Sequence, residues 1–307
     1  MKKIFFLLFL VPVCSGKINA QGCSDAGVCT IHSIKNNTWG DGQEEKANTI
    51  VAGFAFGKGE DDVSYYNPYL EYTRAFKSGT AITAKFNYVI SDGRLASTSG
   101  ISDVFITASQ AFDKRKAVRK SFILGAKIPL DHAALREGNI ELPMPYQPSL
   151  GTYDLITGFN FFYKSFGATA AFQIPLINEN RNKFLPSDYP AHPFISEYLP
   201  TNQFSRKPDG LLRVSYNWEL NQKFSIRPSL LGIYHLDDDS YVNSAEQRVP
   251  IYGSRGLTLN GNVFFNLKAS RVSEFELAAG TPFVVRPSRP DGLTRSFVAS
   301  LDYRISF

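Results

Sequence analysis

The chain is poor in cysteine, methionine and tryptophan, and it has no long apolar run beyond its amino terminus. Of 307 residues, three are Cys, two are Met and two are Trp. After residue 20 there is no stretch of about 18 apolar residues, which excludes a transmembrane helix there. Removal of residues 1–20 takes away three Lys and no acid, so the formal charge of +5 falls to +2. We therefore expect no nucleic-acid partner.

The amino terminus has the layout of a cleavable secretory signal. Two lysines precede an apolar run over 4–13, and small and polar residues follow as far as Ala20. The run is too short to span a bilayer as a helix, so we predict that 1–20 is a signal peptide cleaved after Ala20. A lipoprotein signal would need small residues directly before Cys14, where Val, Pro and Val stand instead.

Two cysteines, Cys23 and Cys29, remain after cleavage. In an oxidising compartment they could close a small disulfide loop, and two unpaired thiols in a polar leader are an equally good interpretation. With His32 they are too few for a zinc site, and we expect no metal. The segment 21–46 is polar and irregular, with several Asn and Gly. It is predicted to be a periplasmic leader or a small plug.

The last segment of the chain shows the period of a strand with two different faces. Apolar or aromatic residues stand at every second position from Phe297 to Phe307, and between them lie Asp302 and Arg304. One face suits lipid and the other suits water, as in outer-membrane barrels. A final strand that ends in Phe also resembles the assembly signal of bacterial outer-membrane barrels. We therefore predict that Phe307 is recognised by the barrel-assembly machinery.

The same alternation recurs from residue 47 onward and predicts twelve strands. They lie near 47–56, 63–76, 79–90, 101–112, 120–130, 151–163, 166–177, 210–220, 223–235, 250–267, 271–283 and 293–307. The odd-numbered connections are mostly long and the even-numbered ones mostly short. Extracellular loops and periplasmic turns of outer-membrane barrels differ in this way. The abundant Phe (25) and Tyr (15) also favour β-structure.

The expected fold is therefore all-β: a transmembrane antiparallel up-and-down β-barrel of about 12 strands over 47–307, in the bacterial outer membrane. Its partners would include outer-membrane lipids. A soluble β-sandwich could have the same mean hydropathy of −0.16, but it gives no reason for the sorting of loop lengths.

Twelve charged residues are predicted to face the lumen of this barrel, because each occupies the polar side of an alternating strand. They are Glu71, Lys85, Asp103, Lys127, Asp154, Arg213, Glu219, Arg227, Glu274, Glu276, Asp302 and Arg304. Such a lining could orient or select solutes. Alternatively, opposite charges on neighbouring strands could pair and brace the barrel. Barrels of this size lie between filled and open, so an open pore does not follow from the strand count.

A long connection at 178–209 separates the seventh and eighth strands. It contains Phe184, Tyr189, Phe194, Tyr198 and Phe204. Long loops in compact domains tend to be functional. We expect this loop to fold over or into the mouth of the pore.

The middle of the chain resembles a known family of barrels. The residues that carry the resemblance are the Gly100–Asp103 segment, the strand from Phe122 to Pro129, and the stretch from Gln147 to Asp154 followed by Gly158. In this order they resemble the outer-membrane proteins grouped with the MetA pathway of phenol degradation. The resemblance covers roughly residues 100–175 and implies a transport-like role for a small-molecule solute. The sequence departs from the family at Ser149 and Leu150, where the approach to the Asp is usually Gly-rich.

An enzyme is the alternative function. His235 ends the predicted ninth strand, and three aspartates at 237–239 follow it. This arrangement could serve a lipid hydrolase or bind calcium, but the preferred interpretation is an ordinary solvated acidic loop after an interfacial His, because no nucleophile motif accompanies it. No Gly-x-Ser-x-Gly, dinucleotide, Walker or His-Glu-x-x-His motif occurs, so no catalytic residue and no cofactor are assigned.

The sequence thus favours a non-enzymatic barrel that mediates passive or facilitated passage of small, apolar or aromatic molecules. A structural or adhesive barrel is the third hypothesis.

Overall fold

The structure is a computed structural model, and it describes residues 47–59, 62–112, 118–292 and 295–307. The predicted signal peptide and leader, with Cys23, Cys29 and His32, lie outside the described residues. Among the described residues, no helix is both long and apolar enough to cross a membrane.

Twelve strands form one antiparallel sheet. They are β1 (Asn48–Gly59), β2 (Ser64–Ala75), β3 (Thr80–Asp92), β4 (Ser97–Phe112), β5 (Val118–Ile128), β6 (Thr152–Tyr163), β7 (Phe166–Asn178), β8 (Asp209–Tyr216, continued by Trp218–Glu219), β9 (Phe224–His235), β10 (Gly256–Lys268), β11 (Ser273–Val284) and β12 (Arg295–Ser306).

Each strand pairs with the next along the chain, and β12 pairs with β1 to close the sheet. The seam between β1 and β12 runs in register from Thr49 opposite Ser306 to Lys58 opposite Phe297. Beyond it, Asn48 and Phe307 exchange two backbone hydrogen bonds of 2.9 Å. Closure leaves no sheet edge whose backbone groups would lack hydrogen-bond partners in hydrocarbon. The predicted up-and-down barrel is therefore confirmed.

Two of the predicted boundaries are wrong, although all twelve strands are present. The connection expected at 91–100 is only 93–96, because Ser97–Gly100 continues the β4 ladder with β3. Near 250 the error is in the other direction. Residues Arg248–Pro250 pair with Ser240–Val242 in a loop hairpin, and β10 begins at Gly256. The first two extracellular connections are therefore as short as the periplasmic turns, and the difference in loop length rests on the last four.

The outer surface of the barrel is an apolar belt. Large side chains on alternate positions of every strand are about half exposed in the isolated chain. Among them are Phe54, Leu70, Phe86, Ile106, Leu124, Phe159, Phe172, Leu212, Leu230, Phe265, Leu277 and Leu301. An exposed apolar surface on all sides of a closed sheet fits a hydrocarbon environment and not water. The chain is therefore an outer-membrane β-barrel.

The extracellular side carries four large connections: 129–151, 179–208, 236–255 and 285–294. The first contains a short hairpin, Arg136–Glu137 with Ile140–Glu141, and a 3-10 turn at Met144–Tyr146. The second contains 3-10 turns at Pro186–Asp188 and Ile195–Glu197. These connections pack on one another and on the upper ends of the strands, and the site described below lies beneath and within them.

Phe307 stands at the periplasmic end of the closing seam, with its ring more than half exposed. We predict that Phe307→Ser lowers the yield of assembled barrel severalfold, because the last strand has to be recognised before it closes on β1. Membrane-extracted protein that shifts on unboiled gels measures that yield.

The matched control is Phe224→Ser. Phe224 begins β9 near the same membrane face and is similarly exposed, so the change removes a comparable apolar surface away from the chain terminus. Equal yields for the two variants would show that position 307 has no special role in assembly.

Candidate functional site

Nine of the twelve charged residues predicted for the lumen are buried inside the barrel, each at most 3% exposed. They are Glu71, Lys85, Asp103, Lys127, Asp154, Arg213, Arg227, Glu276 and Asp302. Glu274 and Arg304 are half-buried, and Glu219 is exposed near the periplasmic end of the β8 extension. Eleven side chains thus lie wholly or partly inside the barrel, and their influence on a solute remains a prediction.

The upper part of the lumen contains a buried triad of charges on three consecutive strands. The Nζ atom of Lys127 on β5 lies 3.0 Å from Asp154 Oδ2 on β6 and 3.6 Å from Asp103 Oδ2 on β4. It also lies 2.8 Å from the hydroxyl of Thr152. Ser149 donates a hydrogen bond to Asp103, and Gln173 donates one to Asp154. One cation therefore holds two carboxylates that would otherwise repel each other.

The lower part of the lumen contains a second set of charged groups, around β2, β11 and β12. The hydroxyl of Tyr69 donates to Asp302, and Lys85 Nζ lies 4.0 Å from the centre of the Tyr69 ring. The ring lies flat against Gly53, where a Cβ atom would come within 2.2 Å of Tyr69 Cζ. Glycine at position 53 therefore makes room for this aromatic bridge across the inner wall.

Ion pairs also cross this lower region. Arg227 lies 2.9 Å from Glu276, and Arg304 lies 3.0 Å from Glu274, which is its direct partner on the neighbouring strand. Lys127 and Asp154 are likewise direct cross-strand partners. Pairing between neighbouring strands is what the bracing interpretation expects. The charged lumen therefore has a structural role in addition to any part it has in selecting a solute.

Sequence reasoning missed an apolar band that lies between these two charged regions. It consists of seven buried residues on six consecutive strands: Phe105, Ile123, Ile156, Ala171, Leu211, Leu231 and Ile233. Their positions share the inward face with the buried charges. The available signal was a break in alternation, since apolar residues occupy both faces in Phe122–Leu124, Leu211–Leu212 and Leu230–Leu231. A purely polar channel has no need for such a band.

Above the lumen, extracellular connections form an apolar cap. Leu142 and Tyr146 from connection 129–151 pack with Phe184 and Tyr198 from connection 179–208. Val63, near the upper end of β2, belongs to the same cluster. A second cluster contains Ala133, Met144, Leu150, Phe204 and Ile251. The expected folding of 178–209 over the mouth is thus found, with three of its five aromatic rings buried and Tyr189 and Phe194 nearer the surface.

Buried amides fix the cap to its own backbone. Gln147 donates to the carbonyls of Leu142 and Leu135 at 2.8 and 3.1 Å. Asn182 donates to the carbonyls of Leu142 and Ala133 at 2.8 and 3.1 Å and accepts from Thr201. The hydroxyls of Tyr146 and Tyr198 lie 3.0 Å apart. These bonds satisfy loop groups that would otherwise be buried without partners, so the cap has a defined closed structure.

His235 lies where the cap meets the barrel wall, and it corrects an expectation. The simplest interpretation had an interfacial His followed by a solvated acidic loop. In the structure His235 is buried, with Nδ1 2.6 Å from Asp209 and Nε2 2.8 Å from Asp239. Asp239 is also fully buried, while Asp237 is exposed. The imidazole and the backbone NH of Lys207 offer Asp239 hydrogen bonds that replace water.

Two arginines complete this group at the upper rim. Arg206 forms an ion pair with Asp209, and its Nε lies 3.7 Å from Asp291. Arg286 lies 2.9 Å from the same Asp291. Burial opposes the charge on Arg206, but the carboxylates of Asp209 and Asp291 outweigh it and raise the arginine pKa above its usual range. We call the six residues Arg206, Asp209, His235, Asp239, Arg286 and Asp291 the rim cluster.

The geometry of His235 disfavours the hydrolase hypothesis. A general base needs a ring nitrogen within reach of the nucleophile's proton. Both ring nitrogens of His235 are already occupied by carboxylates. Within the part of the chain that the structure describes, no group of three or more His, Cys, Asp or Glu has the arrangement to hold a metal ion.

Comparisons with known proteins give a likeness of fold. No family model and no curated protein matches the sequence. Among solved structures, the COG4313 outer membrane channel from Pseudomonas putida F1 has a TM-score of 0.62 at 12% identity, covering 88% of this chain and 100% of that one. The NanC porin has a TM-score of 0.50 at 9% identity, over 85% and 99%. The fold is therefore that of outer-membrane channels.

A structure of outer membrane phospholipase A from Escherichia coli is also similar, with a TM-score of 0.38 at 8% identity over 84% of this chain and 92% of that one. At that distance the likeness supports no argument for a hydrolase.

Lys127 offers a direct test of the upper triad. Lys127→Met should lower the free energy of unfolding by about 3–5 kcal/mol, because it leaves two carboxylates buried without their cation. Denaturant titration of the detergent-folded barrel measures this change.

The control for the triad is a triple variant in which Lys127→Met is combined with Asp103→Asn and Asp154→Asn. It removes all three charges and should recover most of the lost stability. If the single and triple variants are equally unstable, the charges do not interact as described.

Proposed function

We propose that this barrel mediates passive or facilitated passage of small apolar or aromatic molecules across the outer membrane. The observation that carries the proposal is the apolar band on the lumen face of β4 to β9. Water-filled pores are lined by polar side chains, whereas a band of aliphatic side chains with one Phe lowers the cost of transferring an apolar solute out of water.

The edge of the band suggests a solute that is not purely hydrocarbon. On β10, Asn260 lies directly opposite Leu231, and Thr258 lies opposite Ile233. Both polar side chains are buried, and neither the Asn260 amide nor the Thr258 hydroxyl has a partner among the described residues. Unpaired buried polar groups are costly. A solute with an apolar body and one hydroxyl or carbonyl group would relieve that cost as it passes.

The resemblance to proteins grouped with the MetA pathway of phenol degradation agrees with such a solute. It rests on the segments around Asp103, Lys127 and Asp154, and these are the residues of the upper triad. We propose that the triad supports the wall at the level where a solute leaves the cap and meets the apolar band.

Uptake in cells tests the proposal. Cells that express the barrel should take up an apolar aromatic dye such as N-phenylnaphthylamine several times faster than cells that lack it, because an intact lipopolysaccharide leaflet excludes the dye. Unchanged dye uptake together with cleavage of phospholipid by the purified barrel would favour the hydrolase hypothesis. If the barrel shows neither dye uptake nor phospholipid cleavage, a structural or adhesive barrel is favoured.

Leu231→Asn should reduce this uptake severalfold, because it replaces a fully buried apolar side chain of the band with an amide. Leu230→Asn is the matched control, since it makes the same change one residue away on the lipid-facing side. Both variants must first give the unboiled gel shift of a folded barrel. An equal reduction in the two variants would contradict a role for the band.

We further propose that residues 21–46 act as the periplasmic leader or plug. Residue 47 lies at the periplasmic mouth, where its carbonyl accepts a bond from Ala75. The preceding 26 residues could extend about 85 Å, which is several times the height of a barrel. Deletion of 21–46 should increase single-channel conductance in planar bilayers. An unchanged conductance would show that the segment does not obstruct the pore.

A further inference from the structure

We propose that His235 is a pH-sensitive latch that holds the extracellular cap on the barrel wall of the proposed channel. In the rim cluster, Asp209 and His235 belong to barrel strands, and the other four residues belong to loops. His235 joins wall and loop directly, since it lies at hydrogen-bond distance from Asp209 on β8 and from Asp239 in connection 236–255. The inference rests on the proposed function and adds its regulation.

The hydrogen bonds define the protonation state of the closed latch. Each ring nitrogen of His235 faces a carboxylate oxygen, and an ionised carboxylate can only accept. Both nitrogens must therefore carry hydrogen, which makes His235 an imidazolium. A neutral ring has one donor, so its second nitrogen would face a carboxylate lone pair to lone pair.

Charge balance points the same way. The rim cluster contains three carboxylates, those of Asp209, Asp239 and Asp291, against two guanidinium groups. A protonated His235 makes these six residues neutral, and a neutral one leaves them with an excess of one negative charge. Arg289, half-buried near Asp291 and donating to the carbonyl of Arg286, is a further cation at the edge of the cluster. Through Gln173, opposite Asp209 on β7, the cluster adjoins the Asp103–Lys127–Asp154 triad, which itself has an excess of one acid. The surroundings therefore favour the cation.

The same cluster connects three extracellular loops. Arg206 belongs to connection 179–208, Asp239 to 236–255, and Arg286 and Asp291 to 285–294. Asp239 also accepts from the backbone of Lys207, while its own NH donates to Ser254. The cross-strand partner of His235 on its other side is Gly256 of β10, which has no charged side chain. A change in the protonation of the His235 ring therefore alters contacts of the loops that cover the lumen.

The sign of the pH effect follows from this geometry. At low and neutral pH the imidazolium holds the cap closed. As pH rises and His235 loses its proton, one hydrogen bond is lost and a negative charge becomes unbalanced, so the cap opens more often. Protonation of the carboxylates at strongly acidic pH is a separate event that weakens the latch from the other side.

Single-channel recording in planar bilayers tests the latch between about pH 5.5 and about pH 9.5, a range that spans the usual histidine pKa of about 6.5. The wild-type barrel should open more often at the alkaline end. His235→Gln should remain open at least about tenfold more often at pH 6, because it lacks one charge-assisted bond. His235→Lys keeps a cation and should stay closed at high pH.

His132 provides the matched control. It lies in an extracellular connection 3.5 Å from Glu179, but it is partly exposed and outside the rim cluster. His132→Gln should therefore keep the wild-type pH response. A flat wild-type profile, or the same loss of response in both Gln variants, would overturn the latch.

Asp239→Asn weakens the same hydrogen bond from the loop side, so the channel opening of this variant should resemble that of His235→Gln. Limited trypsin digestion at pH 8.5, read as cleavage after Arg206, gives an independent readout, because Arg206 is buried in the closed cap and an open cap exposes it. The order of cleavage should be His235→Gln fastest and His235→Lys slowest, and equal rates would overturn the latch. These readouts do not depend on the solute. A working latch without dye uptake would leave this inference standing while the proposed function fails.

Discussion

The structure depends on one constraint: in hydrocarbon, every backbone amide and carbonyl must find its partner within the protein. The twelve strands satisfy it only because β12 returns to β1 and the ladder has no edge. Once the sheet is closed, successive side chains must alternate between lipid and an enclosed interior. The apolar belt, the buried charges and the position of every candidate residue follow from that closure.

Within the enclosed interior, electrostatics and apolar packing are arranged in levels. Two charged regions lie above and below a band of apolar side chains, and the cap lies over all three. Buried charges such as Lys127 with Asp154 and Arg227 with Glu276 are tolerated because each lies beside a group of opposite charge. The interior is thus braced by its ion pairs, while the apolar band is where we propose that a solute passes and the rim cluster is where we propose that passage is controlled.

The strands and their faces could be predicted from sequence because a period of two is a local property. Lys85, Lys127 and Arg213, which stand on the polar side of their alternating strands, are buried in the structure. Ser97–Gly100 was mistaken for a loop because β4 there carries small polar residues that fit no apolar periodicity.

Residues 250–255 are predicted as strand because Ile251 and Tyr252 are residue types common in strands and stand directly before the alternating segment. The structure instead uses Ile251 in the cap. The rim cluster could not be predicted from the sequence, because the folding of the loops brings Arg206, Asp239 and Asp291 together across large sequence separations.

Closure of the sheet can be measured directly at the seam. Phe54 on β1 and Leu301 on β12 are register partners, and both side chains face lipid. Nitroxide labels at these two positions in the bilayer-inserted protein should show the strong dipolar broadening of adjacent strands. Labels that are well separated, in a protein that remains folded and monomeric in water, would contradict the barrel and every role assigned to its interior.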